Sequence, residues 1–346
     1  MYFGSDNWGP AHPNIIEAIT RANQGYAPSY GGDALTAKAE EKVREVFEAP
    51  DAAVFLIASG TATNALVLAT LVDPWSEIYS AHASHIREDE CNAVEFYSGG
   101  ARITYVGHDD RIDPDSLDDA IAGATPHAHH NAQPGAVSIG QVTDLGGVYS
   151  IDEVKAISAV ARKHALPLHM DGARLANALA ASGATPAEMT WKAGVDAVSF
   201  GGTKNGCIGV EAAIFFDPGH AREFQLRQKR AGHLESKHRF LAAQIEAYLD
   251  DGHWLKTARA ANAAAARLFA GLRKAGGEFA HPADANIAFV RLPRSVHRRA
   301  VEGGAFYEVI GELDTGPKDE MLPSRFVCDW SLDHAEIDRF LDLIKG

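Results

Sequence analysis

The stretch LPLHMDGARLANALAASGATPAEMTWKAGVDAVSFGGTKNG, residues 166–206, decides the fold. Its two short apolar runs, LPLHM (166–170) and DAVSF (196–200), read as buried strands, and RLANALAA (174–181) between them reads as a helix. Strand, helix, strand at this spacing is the crossover unit of a parallel sheet. Each strand ends on a polar group, Asp171 in MDGAR and Lys204 in FGGTKNG. Parallel strands finish at the same edge, so an acid and a lysine 33 residues apart in sequence arrive close together. Singly, Asp171 would pass for a helix cap and Lys204 for a solvated turn residue. As a pair they are far more informative.

Working outward, AVFLI (53–57), EIYS (77–80), RITYV (102–106), AVSI (136–139) and EAAIFF (211–216) are further strand candidates. Helices are expected at TATNALVLATLV (61–72), DPDSLDDAIAG (113–123) and SIDEVKAISAVARKH (150–164). The last opens on a Ser150/Glu153 capping box. The alternation predicts an α/β fold with a seven-stranded, mostly parallel sheet covered on both faces. After residue 217 the texture changes. Residues 219–274 read as mainly helical, ANIAFVRL (285–292) and RFVCDW (325–330) as strands, and LDHAEIDRFLDLIKG as a closing helix. We expect residues 1–250 to form an N-terminal segment and large domain, and 251–346 a small C-terminal α+β domain.

The 346-residue chain carries a net charge of -14, which argues against nucleic-acid or anionic-membrane partners. No apolar run approaches the roughly 18 residues of a membrane span, and the first residues do not read as a signal peptide. Three widely spaced cysteines, Cys91, Cys207 and Cys328, give neither a disulfide framework nor a CxxC knuckle. A cytoplasmic protein is expected. The His-rich HAHHNAQPG (127–135) reads as a loop, since no second ligand cluster has a fitting spacing, and no metal is expected.

The strand at 53–57 runs into SGTATN (59–64), where Ser59, Gly60 and Thr61 would offer hydroxyls and free backbone N–H groups to a phosphate. Neither this stretch nor GGTKNG is a P-loop. A lysine for a Schiff base, a carboxylate for a pyridinium nitrogen and a helix start for a phosphate are the groups that pyridoxal 5'-phosphate needs. His85, in SAHASHIREDE (80–90), follows a strand and would supply a ring to cover one face of that cofactor.

These motifs carry a resemblance. The chain resembles the low-specificity L-threonine aldolases, pyridoxal-phosphate enzymes of fold type I, and is most similar to the bacterial branch of threonine and phenylserine aldolases. The similarity runs through GSDNWGPAHP, YGGD, SGTATN, HIREDE, HMDGAR, WKAGVDAVSFGGTKNG and SRFVCDW, nearly the whole chain. The resemblance implies that Lys204 carries the cofactor, with Gly201-Gly202 letting the chain turn sharply beneath it, that Asp171 bonds its pyridine nitrogen and that His85 stacks on its ring near the substrate's β-hydroxyl. It implies that Ser59, Gly60 and Thr61 take the phosphate with help from Lys229 or Lys237, and that Ser5, Arg174 and Arg325 bind the substrate carboxylate. Tyr30 would reach the site from a neighbouring subunit, so a homodimer at least, and a tetramer by family, is implied. Asp144, in QVTDLGGVY, stands where many members have a histidine. His85, tuned by Asp89 four residues on, is therefore expected to act as base with a water.

The implied reaction is reversible cleavage of an L-β-hydroxy-α-amino acid to glycine and an aldehyde. The rivals are another fold-type-I reaction, transamination or β-elimination, and a phosphate- or nucleotide-binding protein without covalent chemistry.

Overall fold

The computed structural model describes residues 1–124 and 129–345. Seven strands form the main sheet: β1 (Ala53–Ile57), β2 (Ser76–Ser80), β3 (Arg102–Tyr105), β4 (Gln133–Gly140), β5 (Leu168–Gly172), β6 (Ala197–Gly201) and β7 (Glu211–Phe215). Their order is β1-β7-β6-β5-β4-β2-β3. β7 is antiparallel to both neighbours, and the other four pairings are parallel. The reason lies in the connections. Helices at Gly60–Leu71, Ile151–Lys163 and Leu175–Ser182 carry the chain back after β1, β4 and β5. Residues 202–210 hold only a single 3-10 turn, too short for such a crossover, so β7 returns beside β6.

The strands β5, β6 and β7 are almost continuously buried, as expected of a sheet covered on both faces. The helix Gly60–Leu71 is buried from Ala62 through Thr70, which explains why its sequence shows no polar face. The capping box at Ser150 forms as expected. β4 starts earlier than AVSI, at Gln133, and Pro134 and Gly135 lie in the strand rather than in a turn. The ladder with β2 is irregular there, between Glu77 and Ile78, and such a break tolerates a proline. Of the expected loop at 127–135, residues 127–128 lie outside the described residues.

A second sheet of β8 (Glu278–Phe279), β9 (Ile287–Pro293), β10 (Glu308–Val309) and β11 (Met321–Val327) is antiparallel, in the order β10-β11-β9-β8. Its core includes Leu268, Val290, Phe326 and Phe340. Phe3 joins this core. Its N–H donates to the Phe306 carbonyl at 2.8 Å, and its own carbonyl accepts from Val327 N–H at 2.7 Å. That anchor delivers residues 4–8 to the mouth between the two sheets. Among the described residues no helix is long and apolar enough to cross a membrane.

The glycines before Lys204 do a different job from the one expected. Neither Gly201 nor Gly202 has a positive φ. What they provide is clearance. A Cβ on Gly201 would stand 2.5 Å from the Ala173 carbonyl oxygen, and one on Gly202 would stand 2.8 Å from that of Val210. The strand ends touch backbone to backbone. Gly201→Ala is therefore expected to cost about 1–3 kcal/mol through overpacking. A denaturant midpoint equal to wild type would refute this reading of Gly201.

Candidate active site

The C-terminal ends of the parallel strands and one edge of the small sheet enclose a cleft of about 700 Å³. Lys204 lines it, carried on the turn Thr203–Asn205 after β6. That turn is pinned from several sides. Asn205 Nδ2 donates to Tyr248 Oη and to the Trp254 carbonyl, each at 2.8 Å, and Tyr248 donates to the Gly201 carbonyl at 3.2 Å. Buried Glu211, at the head of β7, accepts the Gly202 N–H at 3.2 Å. Burial pushes its carboxyl up to about 7, against the opposing pull of the Thr203 hydroxyl and the Lys204 charge.

Asp171 sits near the end of β5, on the strand beside β6. Its Oδ1 accepts the Ala173 N–H at 2.9 Å and its Oδ2 accepts from Asn64 Nδ2 at 2.8 Å. Burial opposes its ionisation, but the charges of His85 and Lys204 and the Ala173 N–H outweigh it and lower its pKa. His85 opens the helical turn His85–Glu88, and its backbone N–H donates to Asp144 Oδ2 at 3.0 Å. Its Nδ1 lies 2.8 Å from Glu90 Oε1. Burial disfavours the imidazolium, yet the Glu90 hydrogen bond and the field of Asp171 prevail and raise the His85 pKa. Asp144 is pushed up to about 6, first by burial and then by Asp171.

Arg174 follows β5 and is held by Asp6 through two parallel bonds, Nε to Oδ2 at 2.7 Å and Nη2 to Oδ1 at 3.0 Å. Both side chains are buried, and Asn286 donates to the same Asp6 at 3.1 Å. Arg174 still lines the cleft. Across from it, Arg325 on β11 pairs with Glu308 at 3.3 Å and keeps a buried Nε without a partner among the described residues. Ser5 also lines the cleft, its hydroxyl accepting the Asn7 N–H at 3.1 Å.

The expected residues Lys204, His85, Asp89, Asp144, Arg174, Arg325 and Ser5 thus share one cleft, with Asp171 joined to it through Asn64 and the electrostatics of Lys204 and His85. Ser59, Gly60 and Thr61 begin the helix whose Asn64 bonds Asp171, about one turn before Asn64. Ser59 makes no side-chain cap, and a Cβ on Gly60 would meet open space. The first N–H groups of this helix are therefore open to an anion. Tyr30, Lys229 and Lys237 do not line this chain's own cleft. The Lys229 ammonium instead lies 4.2 Å over the Tyr30 ring. Asp89 does not serve as the partner of His85. Its backbone N–H closes the turn onto the His85 carbonyl at 3.0 Å, but the carboxyl that contacts the ring is that of Glu90.

Four residues escaped the sequence reading. Asp6 and Glu90 were hidden beside quoted neighbours in GSDNWG and HIREDE, and Asn64 closed SGTATN without a role. Glu211 had left a signal: an acid heading an otherwise apolar strand. His85, Glu90 and Asp171 bring ligand atoms within 4.8 Å of one another. The Asn64 amide bonds both acids, so hydrogen bonding accounts for the cluster.

A lysine and an acid on adjacent strand ends, near the start of the helix that carries Asn64, are groups that could hold pyridoxal phosphate. The comparisons agree. Residues 3–294 match the beta-eliminating lyase family. A low-specificity L-threonine aldolase of Pseudomonas aeruginosa is 40% identical over 354 residues, covering 99% of this chain and 98% of that one. Its counterpart from a Pseudomonas species is 38% identical over 338 residues, covering 97% and 94%. A threonine aldolase structure from Leishmania major matches with TM-score 0.91 at 28% identity, covering 99% and 98%. A serine palmitoyltransferase from S. paucimobilis, TM-score 0.71 at 16% identity over 100% of this chain and 86% of that one, shares the fold. The chain belongs to the beta-eliminating lyase family, among the low-specificity L-threonine aldolases.

The Asp6–Arg174 pair yields a stability prediction. Asp6→Asn leaves a buried guanidinium uncompensated and should cost about 3–5 kcal/mol. Urea unfolding of the purified variant reads this directly, and a loss below about 1 kcal/mol would show that Asp6 is not what holds Arg174.

Proposed function

We propose that this protein is a pyridoxal-phosphate-dependent aldolase that reversibly cleaves L-β-hydroxy-α-amino acids, such as L-threonine, L-allo-threonine and phenylserine-like compounds, to glycine and an aldehyde. The observation that carries it is the gathering of Lys204, Arg174, Arg325 and His85 around one cleft in a chain similar along its whole length to threonine aldolases. Lys204 would hold the cofactor through its amine and Asp171 its pyridine nitrogen. Ser59, Gly60 and Thr61 would hold its phosphate. When bound, the cofactor accepts electron density from the substrate's α-carbon.

The chain's own residues do the rest. Arg174 and Arg325 clamp the substrate carboxylate, with Ser5 beside them, and a guanidinium suits a carboxylate geometrically. That clamp sets which bond at the α-carbon is aligned for cleavage. His85, in its neutral form, takes the β-hydroxyl proton, directly or through a water. Asp144 holds the His85 backbone in place and lines the cleft.

The same reading includes a homo-oligomer, a dimer at least and a tetramer by family, in which Tyr30 and Lys229 or Lys237 complete a neighbour's site. Their grouping away from their own cleft supports this. Three free thiols, Cys91, Cys207 and Cys328, suit a cytoplasmic setting.

Holoenzyme given L-threonine, L-allo-threonine or L-phenylserine should yield glycine and aldehyde in equal amounts. Ammonia with a keto acid would move the function to β-elimination. His85→Asn should lower kcat by about 10²–10⁴-fold while the protein still binds pyridoxal phosphate. The raised His85 pKa sets the sign of the pH profile. Imidazolium persists above the ordinary value of 6.5, so kcat/KM should fall as pH drops through a limb lying above that value. A limb below 6.5 would contradict His85 as the base.

A further inference from the structure

Glu90 is buried, its side chain wholly shielded from solvent, and no part of the mechanism above uses it. Its Oε1 serves two partners, His85 Nδ1 at 2.8 Å and Asn64 Nδ2 at 2.9 Å. Asn64, equally buried, gives its other amide hydrogen to Asp171 at 2.8 Å. The orientation of that amide is forced. Both neighbours are carboxylates, and only the NH₂ group can donate to two acceptors at once. The result is a continuous chain, His85–Glu90–Asn64–Asp171, that joins the imidazole to the acid at the end of β5.

We propose that Glu90, fixed by Asn64, is a positioning residue that holds the proton of His85 on Nδ1 and leaves Nε2 as the proton acceptor. This rests on the aldolase reading above. The hydrogen bond made by one ring nitrogen decides the state of the other. Nδ1 is committed to Glu90, and Nε2 has no protein partner among the described residues. In the cleavage step the β-hydroxyl O–H bond breaks and an N–H bond forms at Nε2. The O–H electron pair becomes the second C–O bond of the aldehyde, and the Cα–Cβ pair stays with the α-carbon. The imidazolium so formed faces the Glu90 carboxylate, which stabilises it. In the return direction the same proton goes back to the oxygen.

The charges around the ring determine the expected sign. Glu90 and Asp171 favour imidazolium, and Lys204 opposes it. Asp144 reaches the His85 backbone, while Arg174 and Arg325 line the cleft opposite. Arg87, Glu88 and Asp89 sit on the same turn as His85. Removing the Glu90 charge therefore lowers the His85 pKa.

The test uses the pyridoxal-phosphate-loaded protein and its E90Q variant. For E90Q the acid limb of kcat/KM should move to lower pH, and kcat should fall by about 10- to 100-fold, part of what a general base is worth. A second readout is independent of activity and of the variant's folding. Proton NMR of wild-type holoenzyme should show a slowly exchanging imidazole N–H resonance downfield of the amides, absent in His85→Asn. An unmoved limb in folded E90Q, or no such resonance in wild type, overturns the proposal. Absence of glycine from wild type would instead overturn the aldolase reading, and the resonance would still report on the Glu90–His85 bond.

Discussion

The structure depends on the register of β5 against β6. Asp171 stands opposite Ser199, and Gly172 opposite Phe200, so the acid and the turn bearing Lys204 leave the sheet side by side. A slip of one residue would send Asp171 to the other face of the sheet. Close backbone contact helps forbid it. Gly201 lies against Ala173 with no room for a side chain, and Glu211 ties the Gly202 N–H back to β7. The placement of this pair is thus fixed by main-chain geometry rather than by long side chains. That suits a site whose groups must stay aligned through a reaction.

Around that pair the protein sorts its acids by environment. Asp6 and Asp171 are kept ionised against burial because cationic groups, Arg174 for the first and His85 and Lys204 for the second, lie close to them. Asp144, Glu90 and Glu211 are pushed the other way, with burial the largest cause in each. The ionised acids can anchor cations, while Asp144 and Glu211, pushed up to about 6 and about 7, are suited to hold or pass a proton near neutrality. Aspartate at 144 is therefore more than a missing histidine. It is a carboxyl whose surroundings bring its titration toward the range in which an imidazole works.

Much of this was legible in the sequence because it rests on local patterns. Apolar runs of strand length marked the sheet, and Asp171 and Lys204 could be read off the strand ends. The antiparallel return of β7 was not legible from its composition, since EAAIFF looks like its parallel neighbours and only the short preceding link distinguishes it. The partner of His85 was missed for a related reason. Asp89 has the helical spacing and its N–H does bond the His85 carbonyl, but the ring is met by the buried Glu90, five residues on, a spacing that no helical periodicity marks. Asn64 and Asp6 act across long sequence separations, to Asp171 and Arg174. Such contacts exist only once the sheets are assembled.

The most direct test of the central claim is chemical labelling of the lysine. Protein loaded with pyridoxal phosphate is reduced with borohydride, digested and mapped by mass spectrometry. The account predicts a pyridoxyl adduct on the peptide that contains Lys204. An adduct confined to another lysine, such as Lys229 or Lys237, would contradict the assignment of the strand-end pair as the catalytic centre.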